Sequence, residues 1–120
     1  ATGMAKARDM KNENGNIVAV IGDGAVGLCG VIAAKLLGAE KIILMSHHED
    51  RAALGREFGA TDIVGERRED AVKKVLELTD GYGADAVLEC VGASSSIDQA
   101  GQIARAGAVV GRVGVPQKEP

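Results

Sequence analysis

Five short aliphatic runs recur along the chain: Ile17–Ile21, Lys41–Met45, Asp62–Val64, and residues 86–89 and 108–113. Each is brief and continuous enough to be a strand buried on both faces. Between them the apolar residues return at helical spacing. Residues 26–37 are apolar nearly all round, Leu54 and Phe58 lie four apart, Val72, Val75, Leu76 and Thr79 repeat at three and four, and Ile97, Ala100 and Ala104 do the same. The resulting β-α-β-α-β-α-β-α-β pattern predicts an α/β fold: a doubly wound, five-stranded parallel sheet with right-handed crossovers and helices on both faces. Gly38, Gly59, Gly81 with Gly83, and Gly107 follow the four helical segments, where a helix end favours a left-handed residue.

A chain of 120 residues has room for one core, so residues 1–120 are read as a single domain. Residues 1–16 are polar, with Asn12, Asn14 and Gly15, and read as a helix remnant and turn leading into the first strand. The 46% hydrophobic content, with one Phe, one Tyr and no Trp, is Ala, Val, Ile and Leu, which suits helices layered on a sheet. Fourteen basic and 17 acidic residues are interspersed to a net charge of −3, with no basic stripe, so nucleic acid is not an expected partner. The apolar runs fall far short of the ~20 residues of a membrane span, and none reads as a signal peptide. Cys29 and Cys90, far apart within apolar segments, suggest neither a disulfide nor a metal site, and a cytoplasmic location is the expectation.

Gly22-Asp23-Gly24-Ala25-Val26-Gly27 is a G-x-G-x-x-G sequence that follows the first strand directly and opens an apolar helix. Gly22 permits the tight turn, Gly24 lets backbone approach a pyrophosphate, and Gly27 lets the helix pack closely on the sheet. The unpaired N–H groups at the helix start, those of Ala25, Val26 and Gly27, would face the phosphates with the helix dipole behind them. This is the dinucleotide-binding fingerprint of a Rossmann fold, for which the strand order 3-2-1-4-5 is expected.

An acid about 20 residues past the glycines ordinarily holds the ribose 2′-hydroxyl of NAD(H) at the end of the second strand. This chain has Ser46 there. Ser46, His47, His48 and Arg51 could donate to a 2′-phosphate instead, which favours NADP(H) over NAD(H), the histidines contributing more as they protonate near the free value of about 6.5. Ser46-His47-His48-Glu49 also matches a capping box that would simply start the second helix.

Further stretches extend the pattern: Ala1-Thr2-Gly3, residues 18–27, Gly38-Ala39, residues 58–62, residues 83–92 and residues 111–116. Together they resemble the cofactor domain of medium-chain, zinc-dependent alcohol dehydrogenases. The resemblance implies NAD(P)(H) binding in the service of hydride transfer between an alcohol and an aldehyde or ketone. It implies that Thr2 lies near the nicotinamide, and that Val91 and Gly92, with Val113, Gly114 and Val115, form two loops that hold the nicotinamide ring and its carboxamide. Independently, a ligand of an open α/β sheet belongs beyond the carboxyl ends of strands one and four, where the order reverses. Cys90 reads as a small buried hydrophobe, and Cys29 more so.

In the family the resemblance points to, zinc sits in a separate catalytic domain. No catalytic or metal-ligating residue is assigned in this chain: adjacent His47 and His48, with no third partner in view, do not make a zinc site. The expectation is a cofactor domain inactive by itself. A free-standing nicotinamide-nucleotide sensor and a degenerate gene fragment are the alternatives. The fifth strand is expected to be an apolar edge guarded mainly by Arg112, covered by a second copy or by a catalytic-domain partner chain.

Overall fold

The computed structural model describes residues 16–112. Nine elements alternate along it: β1 (Ile17–Ile21), α1 (Ala25–Leu36), β2 (Lys41–Met45), α2 (Glu49–Phe58), β3 (Asp62–Val64), α3 (Arg68–Leu78), β4 (Ala84–Glu89), α4 (Ser94–Ile103) and β5 (Ala104–Arg112). The strands form one five-stranded sheet in the order β3-β2-β1-β4-β5. Every neighbouring pair is parallel. The chain therefore has the doubly wound Rossmann architecture, with its reversal point between β1 and β4.

The two-residue period of a strand explains both layers. Ala19, Ile21, Ile43, Met45, Val64 and Val87 share one face with Ala71, Val75, Ala100 and Ile103 of α3 and α4. Val20, Ile42 and Leu44 share the other with Leu28, Val31 and Ala34 of α1. Close approach of helix to sheet depends on missing side chains. A Cβ at Gly55 of α2 would lie 2.3 Å from Leu44 Cδ2, and one at Gly30 of α1 would lie 3.3 Å from Leu88 Cδ1.

Helix ends follow the glycine pattern except at the fourth. Gly59 (φ 130°) closes α2, donating its N–H to Gly55 and Arg56 carbonyls. Gly107 was expected to follow α4, but α4 ends at Ile103 and β5 begins at once with Ala104. Gly107 (φ 81°) lies instead within β5, in the stretch where the register against β4 slips between Ala84↔Ala104 and Ala86↔Val109. A bulge of this kind needs a residue free to take positive φ, and it lets β5 start four residues earlier than its run of valines indicates. β4 likewise starts at Ala84, two residues early.

Buried polar residues tie the sheet together. Asp85 accepts the Ile17 N–H at 2.8 Å through Oδ2 and pairs through Oδ1 with Arg105 Nε, joining β4 to the start of β1 and to β5. Thr79 Oγ1 accepts the Gly83 N–H at 2.9 Å, fixing the turn from α3 into β4.

Candidate functional site

The glycine loop is built around contacts that only glycine allows. Gly22 has φ 112°, and a Cβ there would sit 2.9 Å from Val91 Cγ2 in the loop after β4. The loops after β1 and β4 therefore touch, which closes the floor of the crevice at the reversal point. A Cβ on Gly27 would lie 2.0 Å from the Gly22 carbonyl oxygen. The close packing expected of Gly27 against the sheet is thus a contact with its own loop, while helix-on-sheet approach falls to Gly30. Around Gly24 there is open space, with no atom within 4 Å of where its Cβ would be.

Gly24 is the N-cap of α1 and makes no side-chain cap; the first turn carries no acid. The first helical bond is Leu28 N–H to Gly24 O at 2.9 Å. Ala25, Val26 and Gly27 therefore present N–H groups without partners inside the helix, a positive end suited to an anion.

A cleft of about 960 Å³ opens beside this loop, lined by Gly22, Asp23, His47, His48, Arg67, Arg68 and Val91 among others. Asp23 organises its β2 side. Its Oδ2 accepts from Ser46 Oγ at 2.6 Å and lies 2.8 Å from His48 Nδ1, while its backbone carbonyl accepts from Arg51 Nη1 at 3.1 Å. Burial pushes the Asp23 carboxyl up, but the Ser46 and His48 hydrogen bonds and the charges of His48 and Arg51 outweigh it and hold the group below its ordinary value. His47 Nδ1 turns the other way, 3.1 Å from the Gly65 carbonyl.

The Ser46–Glu49 capping box does not form. His48 is the N-cap of α2 and makes no side-chain cap. Ser46 is 3% exposed; its hydroxyl donates to Asp23, and its oxygen lies 3.4 Å from the His48 N–H rather than meeting the Glu49 N–H that a capping box would use. Of the four residues expected at the end of β2, His47 and His48 line the cleft, Arg51 stands beside the loop, and Ser46 is buried beneath it.

On the β4 side, Glu89 is 1% exposed and its Oε2 accepts the N–H groups of Val91 (2.8 Å) and Gly92 (2.6 Å). Those donors are committed to the loop itself; what the loop offers a ligand is its carbonyls and the Val91 side chain. Glu89 Oε1 accepts a hydrogen bond from none of the described residues, and Arg112 Nε lies 3.7 Å from it. Arg112, about half exposed, thus stands as a counter-ion to Glu89. The Cys90 thiol is half-buried and pushed up to about 11 by that burial and by the Glu89 charge, so it is a poor nucleophile. Cys29, expected to be buried, is exposed. It sits on the side of α1 that borders a second, apolar cleft over β4.

Thr2, Val113, Gly114 and Val115 lie outside the described residues. Sequence reasoning missed Asp23, Arg67, Arg68 and Glu89. Asp23 occupies a variable position of the glycine motif, and the two arginines stand among acids in what reads as a solvated turn. Among the described residues no group of three or more His, Cys, Asp and Glu could hold a metal ion, so these residues do not fit a zinc centre. None of the helices there is long and apolar enough to cross a membrane.

The family described as zinc-binding dehydrogenase matches residues 25–120. The chain belongs to that family. A zinc-binding dehydrogenase domain also emerges from individual relatives. An alcohol dehydrogenase of Cupriavidus necator is 32% identical over 115 residues, 96% of this chain and 31% of the relative. The zinc dependent alcohol dehydrogenase 2 from Streptococcus pneumonia, in its apo form, superposes with a TM-score of 0.82 at 33% identity, covering 92% of this chain and 33% of that one. A zinc-binding dehydrogenase from Sinorhizobium meliloti 1021 bound to NADP superposes with a TM-score of 0.75 at 34% identity, over 88% and 32% of the two chains. This zinc-binding dehydrogenase domain thus spans about a third of the length of the proteins it matches. A second family, 1-deoxy-D-xylulose-5-phosphate synthase, matches residues 1–43, a smaller part of the chain.

Proposed function

We propose that this domain is the NAD(P)(H)-binding unit of an alcohol dehydrogenase-like oxidoreductase. The observation that carries the reading is the glycine loop. Gly22 and Gly27 are locked by contacts no side chain would permit, while Gly24 stands open beside the unpaired N–H groups of α1. That combination serves a close-approaching anion and has no other evident use in the fold. In this reading Gly22, Gly24, Ala25, Val26 and Gly27 hold the pyrophosphate. His47, His48 and Arg51 take the adenosine ribose, and Val91 and Gly92, with Thr2, Val113, Gly114 and Val115, take the nicotinamide.

The nicotinamide supplies the hydride-carrying chemistry when bound. The residues of this domain bind, orient and exclude water; acid–base or metal assistance belongs to other parts of the full-length enzyme. NADP(H) is the favoured cofactor, because Arg67 and Arg68 join the two histidines around the cleft, and because a relative of the same fold binds NADP.

Calorimetric titration of the purified chain with NADPH and NADH is expected to show binding of both, NADPH the tighter, with the difference widening from pH 7 to pH 6. Failure of both to bind would overturn the reading.

The same reading places a second chain along β5. This nine-residue strand leaves Val109 and Val110 about half exposed, and among the described residues only β4 pairs with it. Small-angle scattering at high concentration is expected to give a mass above that of one chain. A strictly monomeric mass would argue against it.

A further inference from the structure

The end of β2 lacks a carboxylate in sequence, yet the fold brings one there from the glycine loop after β1. Asp23 Oδ2 is shared by Ser46 Oγ at 2.6 Å and His48 Nδ1 at 2.8 Å. A carboxylate only accepts, so the Ser46 hydroxyl donates and His48 Nδ1 carries its proton, leaving Nε2 as the nitrogen that gains or loses one. The His48 ring is 67% exposed and the Asp23 side chain 15%. Asp23 Oδ1 accepts from none of the described residues, and Asp23 lines the cleft.

Resting on the cofactor reading above, we infer that Asp23 is the residue that limits the preference for NADP(H) over NAD(H), against the pull of Arg67 and Arg68 on the same cleft. Its carboxylate stands in for the missing acid of β2, accepts the ribose 2′-hydroxyl of NAD(H) and repels the 2′-phosphate of NADP(H). Protonation of His48 neutralises that carboxylate, so the preference for NADPH rises as the pH falls.

Of the other groups around the pair, His47 also lines the cleft, and the 2′-phosphate itself has its second ionisation near pH 6, so both add to the dependence that passes through Asp23. Arg51 reaches the pair from α2, whose first turn also carries Glu49 and Asp50, and the cleft around it is lined by Glu66, Arg67, Arg68, Glu69 and Asp70 from the turn and first helical turn after β3, and by Asp98 from α4. Among these side-chain types and the histidines, only histidine ordinarily changes charge between about pH 6 and 8. His47 contacts the Gly65 carbonyl rather than a carboxylate, so its protonation does not offset the Asp23 charge at contact distance.

The test is the dissociation constant of NADPH and of NADH at pH 6 and pH 8 for the whole chain and for Asp23→Asn and His48→Gln. In the parent chain the NADPH preference is expected to be about tenfold greater at pH 6 than at pH 8. Asp23→Asn should tighten NADPH about tenfold at pH 8 without tightening NADH, since the amide keeps an acceptor but loses the charge. His48→Gln should reduce the pH dependence of the preference to the part that His47 and the 2′-phosphate contribute. An unchanged preference in Asp23→Asn, or a parent-like pH dependence in His48→Gln, overturns the inference and leaves the cofactor reading standing. Absence of binding by the parent chain overturns both. Circular dichroism reports whether Asp23→Asn folds; if it does not, His48→Gln decides.

Discussion

Gly27→Ala is expected to cost about 1–3 kcal/mol of stability and to abolish measurable nucleotide binding. The new Cβ would lie 2.0 Å from the Gly22 carbonyl oxygen and 2.7 Å from its carbon, both backbone atoms, so no rotamer change relieves the clash. Either the loop moves away from α1 or the first turn of α1 unwinds, and both displace the N–H groups that would face the pyrophosphate. Gly24→Ala separates the two effects. Its Cβ meets no atom within 4 Å, so the stability loss should not exceed about 1 kcal/mol, the cost of alanine at an N-cap. Yet the methyl group stands where a phosphate must approach, and affinity should fall. Urea unfolding and calorimetry on both variants check the pair; equal affinity for nucleotide in Gly27→Ala and the parent would refute the assignment of the loop.

Asp85→Ala is expected to cost more, about 3–5 kcal/mol, against the 5–15 kcal/mol typical of a whole domain. Asp85 is 3% exposed, and its partner Arg105 keeps only 11% of its side chain in solvent. Removing the carboxylate takes the counter-ion from a largely buried guanidinium, which keeps its bond to the Ala106 carbonyl, and orphans the Ile17 N–H at the start of the central strand. Asp85→Asn should lose less, because the amide oxygen still accepts from Ile17. Combining Asp85→Ala with Arg105→Met should recover much of the loss, since the penalty comes from the uncompensated charge. Urea midpoints of the three variants decide it, and a double variant no more stable than Asp85→Ala would show that the pair itself, and not the stranded charge, carries the energy.

Both residues show where sequence reasoning reaches and where it ends. The first three strands have the bounds their aliphatic runs indicate, because burial on both faces leaves continuous runs with sharp polar ends. Gly22, Gly24 and Gly27 were legible because their spacing is local. β5 was misjudged at its start because Gly107 takes a bulge rather than a helix cap, a choice made by the register against β4. Asp85, Asp23 and Glu89 were not legible as anchors. Asp85 reaches Ile17 across 68 positions, and Asp23 meets Ser46 across 23. Glu89 binds the loop that follows it, a local contact, but its burial follows from its position at the carboxyl end of an interior strand. An acid at such a position looks in sequence like any exposed one.

The placement of β1 at the centre of the sheet, with β2 on one side and β4 on the other, also has a temporal side. A ribosome completes β1 early and β4 only after most of the domain, at roughly 5–20 residues per second. The Ile17 N–H therefore waits roughly 3–14 s, at that rate, for the Asp85 carboxylate 68 positions on. During that interval the most apolar strand pair of the nascent chain, β1 with β2, has one flank bare, open to any passing strand or chaperone. The window closes only when β4 docks and completes the crevice, so the half-made domain is the form most exposed to aggregation.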